Sequence, residues 1–213
     1  MSILYLVLGW LIGIISPGIV ERIRRAHRRR DLVRSILSEL TSLQYMMAFV
    51  AYVMRGKLAR VTDEFLDWFA PIAAGYDGPE KPEGQEEKVA KIRKISQQQR
   101  REVDLQFERE GRGLALKQYS PPFLQSVSNE LPICSLDFQR RVLHVIGRLD
   151  LFNQHVSFLQ AQEMKTHEVA DRHYEAITTN LSEGYSHLAK FAEGIANAIA
   201  EIESLFRPSR ASS

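Results

Sequence analysis

Residues 3–20 form an uncharged and mostly apolar run near the start of the chain. At a helical rise of about 1.5 Å per residue, such a run spans roughly 27 Å, close to the thickness of a bilayer's hydrocarbon core. Six arginines follow directly, at Arg22, Arg24, Arg25, Arg28, Arg29 and Arg30. The pattern predicts a single transmembrane anchor over residues 1–20, followed by a basic juxtamembrane collar over residues 21–31.

The position of the arginines predicts the orientation of this anchor. A secretory signal carries its positive charge before the apolar stretch and a small-residue cleavage site after it. Here bulky Val20 and Ile23 and the arginines follow the stretch instead. The positive-inside rule then keeps the rest of the chain in the cytoplasm, with Met1 on the far side of the membrane. We therefore expect an uncleaved single-pass membrane protein with a cytoplasmic body.

The collar has two interpretations. It can bind anionic lipid headgroups, to which each basic residue near the surface contributes about 1 kcal/mol, or it can serve only to fix the topology. Beyond residue 31 acidic residues slightly outnumber basic ones, so the basic character is local. This distribution argues against a nucleic-acid-binding domain. The expected partners are therefore anionic membrane lipids, and no nucleic acid.

Small residues within the apolar run suggest how two such spans could pack. Gly9 and Gly13 lie four residues apart, a spacing that lets two membrane helices approach closely. Glycine is also common in membrane helices without any such role. Further along, Ser16-Pro17-Gly18 predicts that the helix kinks or ends near the inner side of the membrane.

Apolar residues in the body recur with helical spacing, and in three segments they alternate steps of three and four, as in a heptad. Such seams bury one face of a long helix against other helices at a shallow angle. No alternation typical of strands competes with them. The expected fold class is all-α, an antiparallel bundle of about four long helices over residues 32–206 behind the anchor. The seams are Val33, Ile36, Leu40, Leu43, Met47, Val50 and Met54; Phe138, Val142, Val145, Leu149, Phe152, Val156 and Leu159; and Leu181, Tyr185, Leu188, Ala192, Ile195, Ile199, Ile202 and Phe206.

Segments between the seams differ in character. Glycine and proline cluster in residues 75–86, which predicts a flexible loop, where Gly78→Ala should cost little unless that glycine needs a positive φ. Residues 86–118 are highly charged with sparse apolar anchors, which predicts one helix lying on the surface. Residues 207–213 have nothing to pack and should form a disordered tail.

Two features of the body leave alternatives open. Residues 135–206 can form one helix of about 107 Å or a hairpin that turns near Thr166; we favour the hairpin, because helices much beyond 25 residues are atypical of compact domains. Leu40–Met54 is apolar almost all round, which raises a second membrane span. Fifteen residues are short for a bilayer, so we expect the central helix of the bundle instead. A second span would place the body in the opposite compartment.

Candidate metal ligands have an unfavourable spacing. Glu163, His167 and Asp171 share one helical face, whereas carboxylate metal sites in bundles use Glu-x-x-His, a motif that the chain lacks. A solvated helix face or a hairpin tip is the competing interpretation.

Residues suited to acid–base or nucleophilic chemistry lack supporting motifs. Asp150, Asn153 and His155 are not accompanied by a nucleophile elbow or a phosphate-binding loop. Cys134, in Leu-Pro-Ile-Cys-Ser-Leu, suits a small buried hydrophobe better than a nucleophile. We therefore expect no catalytic residues, no cofactor and no enzyme activity.

Three functions fit these observations. The first, which we favour, is a membrane-anchored helical interaction protein, a scaffold, complex subunit or regulator that contacts a protein partner or a second copy of itself. The second is a membrane sensor or effector whose span or bundle rearranges on a stimulus. The third is an enzyme with a metal in the bundle core.

Overall fold

The computed structural model describes residues 2–95, 98–100, 102, 116–166 and 174–206, and the side chains of these from residue 18 onward except 165, 166 and 174–177. Within these ranges the chain is helical and contains no strand, which confirms the all-α prediction. The helices are α1 (Ser2–Lys57), α2 (Asp63–Ala74), α3 (Gln85–Lys94), α4 (Pro122–Ser126), α5 (Leu136–Thr166) and α6 (Tyr174–Phe206), with a 3₁₀ helix (Ser128–Ile133) before α5.

Helix α1 joins the apolar run, the collar and the first helix of the body in one element of 56 residues. At the standard rise this helix is about 84 Å long. It continues through Pro17, so the helix does not end there as the Ser-Pro-Gly sequence allows. A proline removes only one backbone hydrogen bond of a helix, and the turns on either side carry α1 onward.

Helix α6 packs against α1 in an antiparallel arrangement. The hydroxyl of Thr41 is hydrogen-bonded to Glu203, and the Arg55 guanidinium forms an ion pair with Glu193, with Nε 2.6 Å from Oε1. Residue numbers therefore rise along α1 as they fall along α6.

Helices α5 and α6 also pack against each other in an antiparallel arrangement. The rings of Phe138 and Phe206 lie 5.0 Å apart at one end of the pair, and the Tyr185 hydroxyl donates to Glu163 at the other. The segment thus has the two antiparallel helices of the favoured hairpin and not one straight helix, although the connection at residues 167–173 lies outside the described part. Because α1 and α5 are both antiparallel to α6, they run in the same direction.

The expected single surface helix over residues 86–118 is interrupted near its start, and most of its second half lies outside the described residues. Helix α3 ends at Lys94, because Ile95 adopts an extended conformation (φ −91°, ψ 150°). Arg100 then turns back toward α3, and its Nε donates to the Ile92 carbonyl at 2.7 Å. The described residues contain three long helices, α1, α5 and α6; residues 96, 97, 101 and 103–115 lie outside the described part, so the expected total of about four is not tested.

The predicted seams form the core. All seven residues of the seam on α5 are at most 2 % exposed, and most members of the other two seams are buried as well. Val33, Val50, Tyr185 and Phe206 lie half-buried at the edges. In α1 the stretch Leu40–Met54 contributes fully buried Leu40, Met47 and Ala51, as expected of a central bundle helix.

One helix is long and apolar enough to cross a membrane. Over the residues whose side chains are described, it is the stretch Gly18–Lys57 of α1, and 56 % of its apolar window is buried in the body. The criterion rests on length and composition, and a buried core helix also meets it. Residues 3–17, most of the expected anchor, precede the first described side chain and so lie outside this stretch.

The loop between α2 and α3 is fastened to α1 at one residue. Tyr76 is buried and stacks on Tyr45 with ring centroids 4.3 Å apart. Lys81 donates from Nζ to the Tyr76 carbonyl at 2.9 Å. A Cβ added at Gly78 would overlap the Tyr76 hydroxyl and ring, so alanine there requires the buried Tyr76 side chain to move, which argues against the expectation that this substitution costs little. The reason is this close approach, since Gly78 does not have a positive φ.

Candidate functional site: the arginine collar of α1

Helix α1 leaves the body as an exposed extension. Every residue from Gly18 to Asp31 is exposed, and Leu32 is the first buried residue of the helix. Three apolar residues, Ile19, Val20 and Ile23, are about half exposed at the start of this stretch. Gly9 and Gly13 lie nearer the N-terminus of α1, where side chains and their contacts are not described.

The arginines of the extension surround the helix. At about 100° per residue, Arg22, Arg25 and Arg29 share one face, Arg24 and Arg28 lie on a second, and Arg30 lies on a third. A helix that lies flat on a membrane carries its basic residues on one face. A ring of positive charge instead suits a helix that passes through a layer of headgroups.

Two ion pairs between described side chains involve the collar. Arg25 pairs with Glu21 one turn earlier, at 2.9 Å, and this hydrogen bond and the charge of Arg25 lower the pKa of the Glu21 carboxyl. Arg28 pairs with Glu130 of the 3₁₀ helix at 3.1 Å. Both pairs are well exposed, and exposed pairs contribute little to stability. The Arg28 pair nevertheless links the extension to the end of the body from which it leaves.

Glu39 has a structural role that the sequence did not indicate. Its carboxylate accepts hydrogen bonds from the backbone N–H groups of Phe123 at 2.9 Å and Leu124 at 2.6 Å. It therefore satisfies free donors in the first turn of α4, as a capping residue does. Its partners are more than 80 residues away, so no local pattern could have identified them.

The structure does not assemble Asp150, Asn153 and His155 into an acid–base site. Asn153 bonds the backbone of Tyr119 on both sides, accepting from its N–H at 2.9 Å and donating to its carbonyl at 2.7 Å. His155 packs on the ring of Phe191, with centroids 5.8 Å apart, and Asp150 faces solvent. Asn153 thus holds the segment before α4 against α5.

The metal candidates are only partly described. Glu163 accepts from the Tyr185 hydroxyl, while His167 and Asp171 lie outside the described residues. In the part of the chain that is described, no three His, Cys, Asp or Glu side chains are grouped as metal ligands would be.

A shallow polar depression of about 320 Å³ lies where α6 passes the end of α1. Arg60, Glu183, His187 and Lys190 line it together with Ser182 and Ser186. Arg60 donates to the Ser186 hydroxyl at 3.4 Å. The depression is open to solvent and mixes charges of both signs, so its shape and charge favour no particular ligand.

Cys134 is buried, and burial raises the pKa of its thiol. A neutral, buried thiol packs as a small hydrophobe and is a poor nucleophile. The placement agrees with the expectation from its apolar surroundings in the sequence.

No family model matches the chain, and comparisons with curated proteins and with solved structures find no match either.

Proposed function

We propose that this chain is a membrane-anchored helical interaction protein. Residues 3–20 form its anchor, the arginine collar contacts anionic headgroups at the cytoplasmic surface, and the helical body works by contact with other proteins and without chemistry of its own.

The observation that carries the proposal is the form of α1. One helix includes the apolar run, then an exposed ring of six arginines, then the buried core of the body. Exposed arginines on all sides of α1 contribute little to the body: among the described residues, Arg28 pairs with Glu130, and the charge of Arg29 acts on Cys134. In a headgroup layer the same ring gains several favourable contacts, and its charge keeps the body on the cytoplasmic side.

A test of the anchor is extraction of membranes with alkaline carbonate, which releases peripheral proteins. We expect the full chain to resist extraction, and the double variant Leu8→Lys, Leu11→Lys to be released, because two charges within the span oppose insertion. The matched control is Met164→Lys, Leu205→Lys, which changes two exposed apolar residues of the body. Release of the wild-type chain would contradict the proposal.

A test of headgroup binding is the lipid that the full chain retains after solubilisation from vesicles of equal anionic and zwitterionic lipid. We expect anionic lipid to be enriched several-fold, and the triple variant Arg22→Gln, Arg25→Gln, Arg29→Gln to lose much of this enrichment. The control Lys88→Gln, Lys91→Gln, Lys94→Gln removes three exposed charges from α3. An equal loss in both variants would mean that the collar has no special role.

A second candidate, a sensor or effector, is favoured by the continuity of α1. A movement of the span would pass directly into the core through one unbroken helix. Ala26→Pro would remove a helical hydrogen bond and kink α1 at an exposed position between the span and the core. We expect proteins captured from native membranes to be unchanged in this variant if the body is a scaffold, and changed if the span controls it.

A further inference from the structure

Helix α5 carries a second apolar stripe on the face that points away from the core. The stripe, called the outer stripe below, consists of Leu136, Arg140, Leu143, Gly147, Leu151, Gln154 and Phe158, all exposed. Its four large apolar members are 68, 52, 53 and 58 % exposed at Leu136, Leu143, Leu151 and Phe158. At about 100° per residue, the seven positions lie within an arc of about 80°, roughly opposite the buried seam.

The glycine in the middle of the outer stripe has no explanation in the described part of the chain. A Cβ added at Gly147 would meet nothing within 4 Å, so no close contact requires glycine there. Glycine inside a helix costs about 1 kcal/mol relative to alanine. A second helix that packs closely at this point would explain the glycine, because a larger side chain would keep the two helices apart.

The outer stripe is symmetric about Gly147. Successive members are separated by 4, 3, 4, 4, 3 and 4 residues, a series that reads the same from either end. Leu143 and Leu151 lie four residues on either side of Gly147, and Leu136 and Phe158 lie eleven. An antiparallel copy of the same helix therefore presents an apolar residue wherever this one does. Self-complementarity of this kind is what a twofold interface requires.

Charge selects the antiparallel orientation. In an antiparallel pair centred on Gly147, the Arg140 guanidinium of one chain meets the neutral Gln154 of the other. In a parallel pair each residue meets its own copy, so two Arg140 side chains would face each other, which is unfavourable. The symmetric arrangement avoids this repulsion.

We propose that two copies of this chain pair through the outer stripes of their α5 helices, antiparallel, with the twofold axis at Gly147. The pairing extends over about 33 Å of helix. Because only four large apolar side chains per chain are covered, the dimer is weaker than an obligate one and depends on concentration.

The pairing has a consequence that rests on the proposed anchor. Because α1 and α5 run in the same direction, a twofold axis perpendicular to α5 sends the two α1 extensions out of opposite ends of the dimer. Two anchors that leave in opposite directions cannot enter one flat bilayer side by side. The paired chains therefore belong to two facing membranes, which the dimer holds together.

Disulfide crosslinking of the full chain in detergent tests the register. A mixture of L143C and L151C chains places the two new thiols in one layer of the pair, so we expect a crosslinked dimer containing one chain of each kind. Either variant alone keeps its thiols about 12 Å apart along the helix axis, beyond the reach of a disulfide, and should not crosslink. The wild-type chain, with its buried Cys134, gives the background. Crosslinking of L143C alone, or of neither sample, would overturn the proposal.

A substitution on the outer stripe tests the surface independently. We expect Leu143→Glu to lower the dimer fraction at least tenfold in sedimentation of the detergent-solubilised chain. Leu205→Glu is the matched control, because Leu205 is an equally exposed leucine on α6. Equal behaviour of the two variants would contradict the assignment of the surface.

Vesicles carrying the full chain separate the pairing from the anchor. We expect the wild-type chain to float with vesicles of neutral lipid and to cluster them, and Leu143→Glu to float without clustering them. Wild-type chain that floats without clustering would overturn the bridging of two membranes. Chain that does not float would contradict the anchor, while the crosslinking result still decides the pairing.

Discussion

At the scale of single residues, the cluster around Tyr76 fixes the loop between α2 and α3. Its ring lies between Tyr45 and the backbone of Gly78, and its hydroxyl is hydrogen-bonded to Glu80 and, at 3.4 Å, to Ser42. Tyr45 in turn donates to the buried Gln85 at the start of α3. A loop rich in glycine and proline is thus held in place by two aromatic side chains.

Gly78→Ala should therefore destabilise the protein. The new methyl group overlaps the Tyr76 ring, which is buried and cannot swing aside without losing its stacking on Tyr45. We expect a loss of about 1–3 kcal/mol in the free energy of unfolding. Gly147→Ala is the control in open space, and it should raise that free energy by up to about 1 kcal/mol. Chemical denaturation of both variants measures the difference, and equal effects would contradict the placement of Tyr76.

Stability at alkaline pH should depend on Tyr45. Burial raises the pKa of its phenol to about 12 in the folded state, above the ordinary value of 10.0. The unfolded chain thus loses this proton at a lower pH than the folded one. The contribution to stability is complete below about pH 10 and is lost as the pH rises toward 12.

Thermal melts of the wild-type chain and of Tyr45→Phe between pH 9 and pH 11.5 measure this contribution. We expect the melting temperature of Tyr45→Phe to fall less steeply with pH, because the variant has no phenol to ionise at this position. Some slope should persist, since burial also raises the pKa of Tyr76 and Tyr119. Identical slopes for the two proteins would mean that the Tyr45 phenol is not buried.

At the scale of elements, α5 has two apolar faces, one buried and one exposed. Leu149 belongs to the buried seam, while Leu151, two residues later, is on the outer stripe. We expect Leu149→Ala to cost about 2–5 kcal/mol of stability and Leu151→Ala less than about 1 kcal/mol. Denaturant unfolding at low protein concentration, where pairing does not contribute, makes the comparison. A large loss of stability in Leu151→Ala would mean that the core is assigned to the wrong face of α5.

The sequence predicted the helices that bury a continuous stripe and failed where a helix depends on single contacts. Spacing alone located the seams of α1, α5 and α6, because burying a face repeats the same requirement every three or four residues. The end of α3 could not be predicted, since residues 86–118 contain no breaker near Ile95. The end of α3 at Lys94 is followed by Arg100, which makes long-range contacts. Its guanidinium pairs with Asp63 of α2 at 2.7 Å.

The candidate site was predictable in part for the same reason. The arginine collar is a run of charge that is visible in the sequence itself. Its exposure is also expected, because arginine is rarely buried. The role of Glu39 depends on backbone groups 84 residues away. The spacing of the outer stripe is also present in the sequence, but Arg140, Gly147 and Gln154 interrupt its apolar pattern. Its symmetry becomes apparent once the structure shows which face of α5 is exposed.

At the scale of the whole molecule, the direction of α1 determines how the body is oriented relative to the proposed anchor. The collar leaves the body at the end where Glu130 lies, and the extension continues the direction of the core helix. In the proposed topology, α5 runs in the same direction as α1 and so extends away from the membrane, with its outer stripe on the side of the body. That orientation would leave the outer stripe free to meet a chain from a facing membrane.

The topology itself can be measured with the substitution Ser213→Cys in intact cells. The native Cys134 is buried, and burial raises the pKa of its thiol, so the added cysteine dominates the labelling. We expect an impermeant thiol reagent to label this variant only after the membrane is permeabilised, because in the proposed topology the six arginines keep the body in the cytoplasm. Replacing all six by glutamine should increase labelling of intact cells, whereas replacing the exposed Lys88, Lys91 and Lys94 should not. Strong labelling of intact cells with the native collar would reverse the topology and restore Leu40–Met54 as a candidate for a second span.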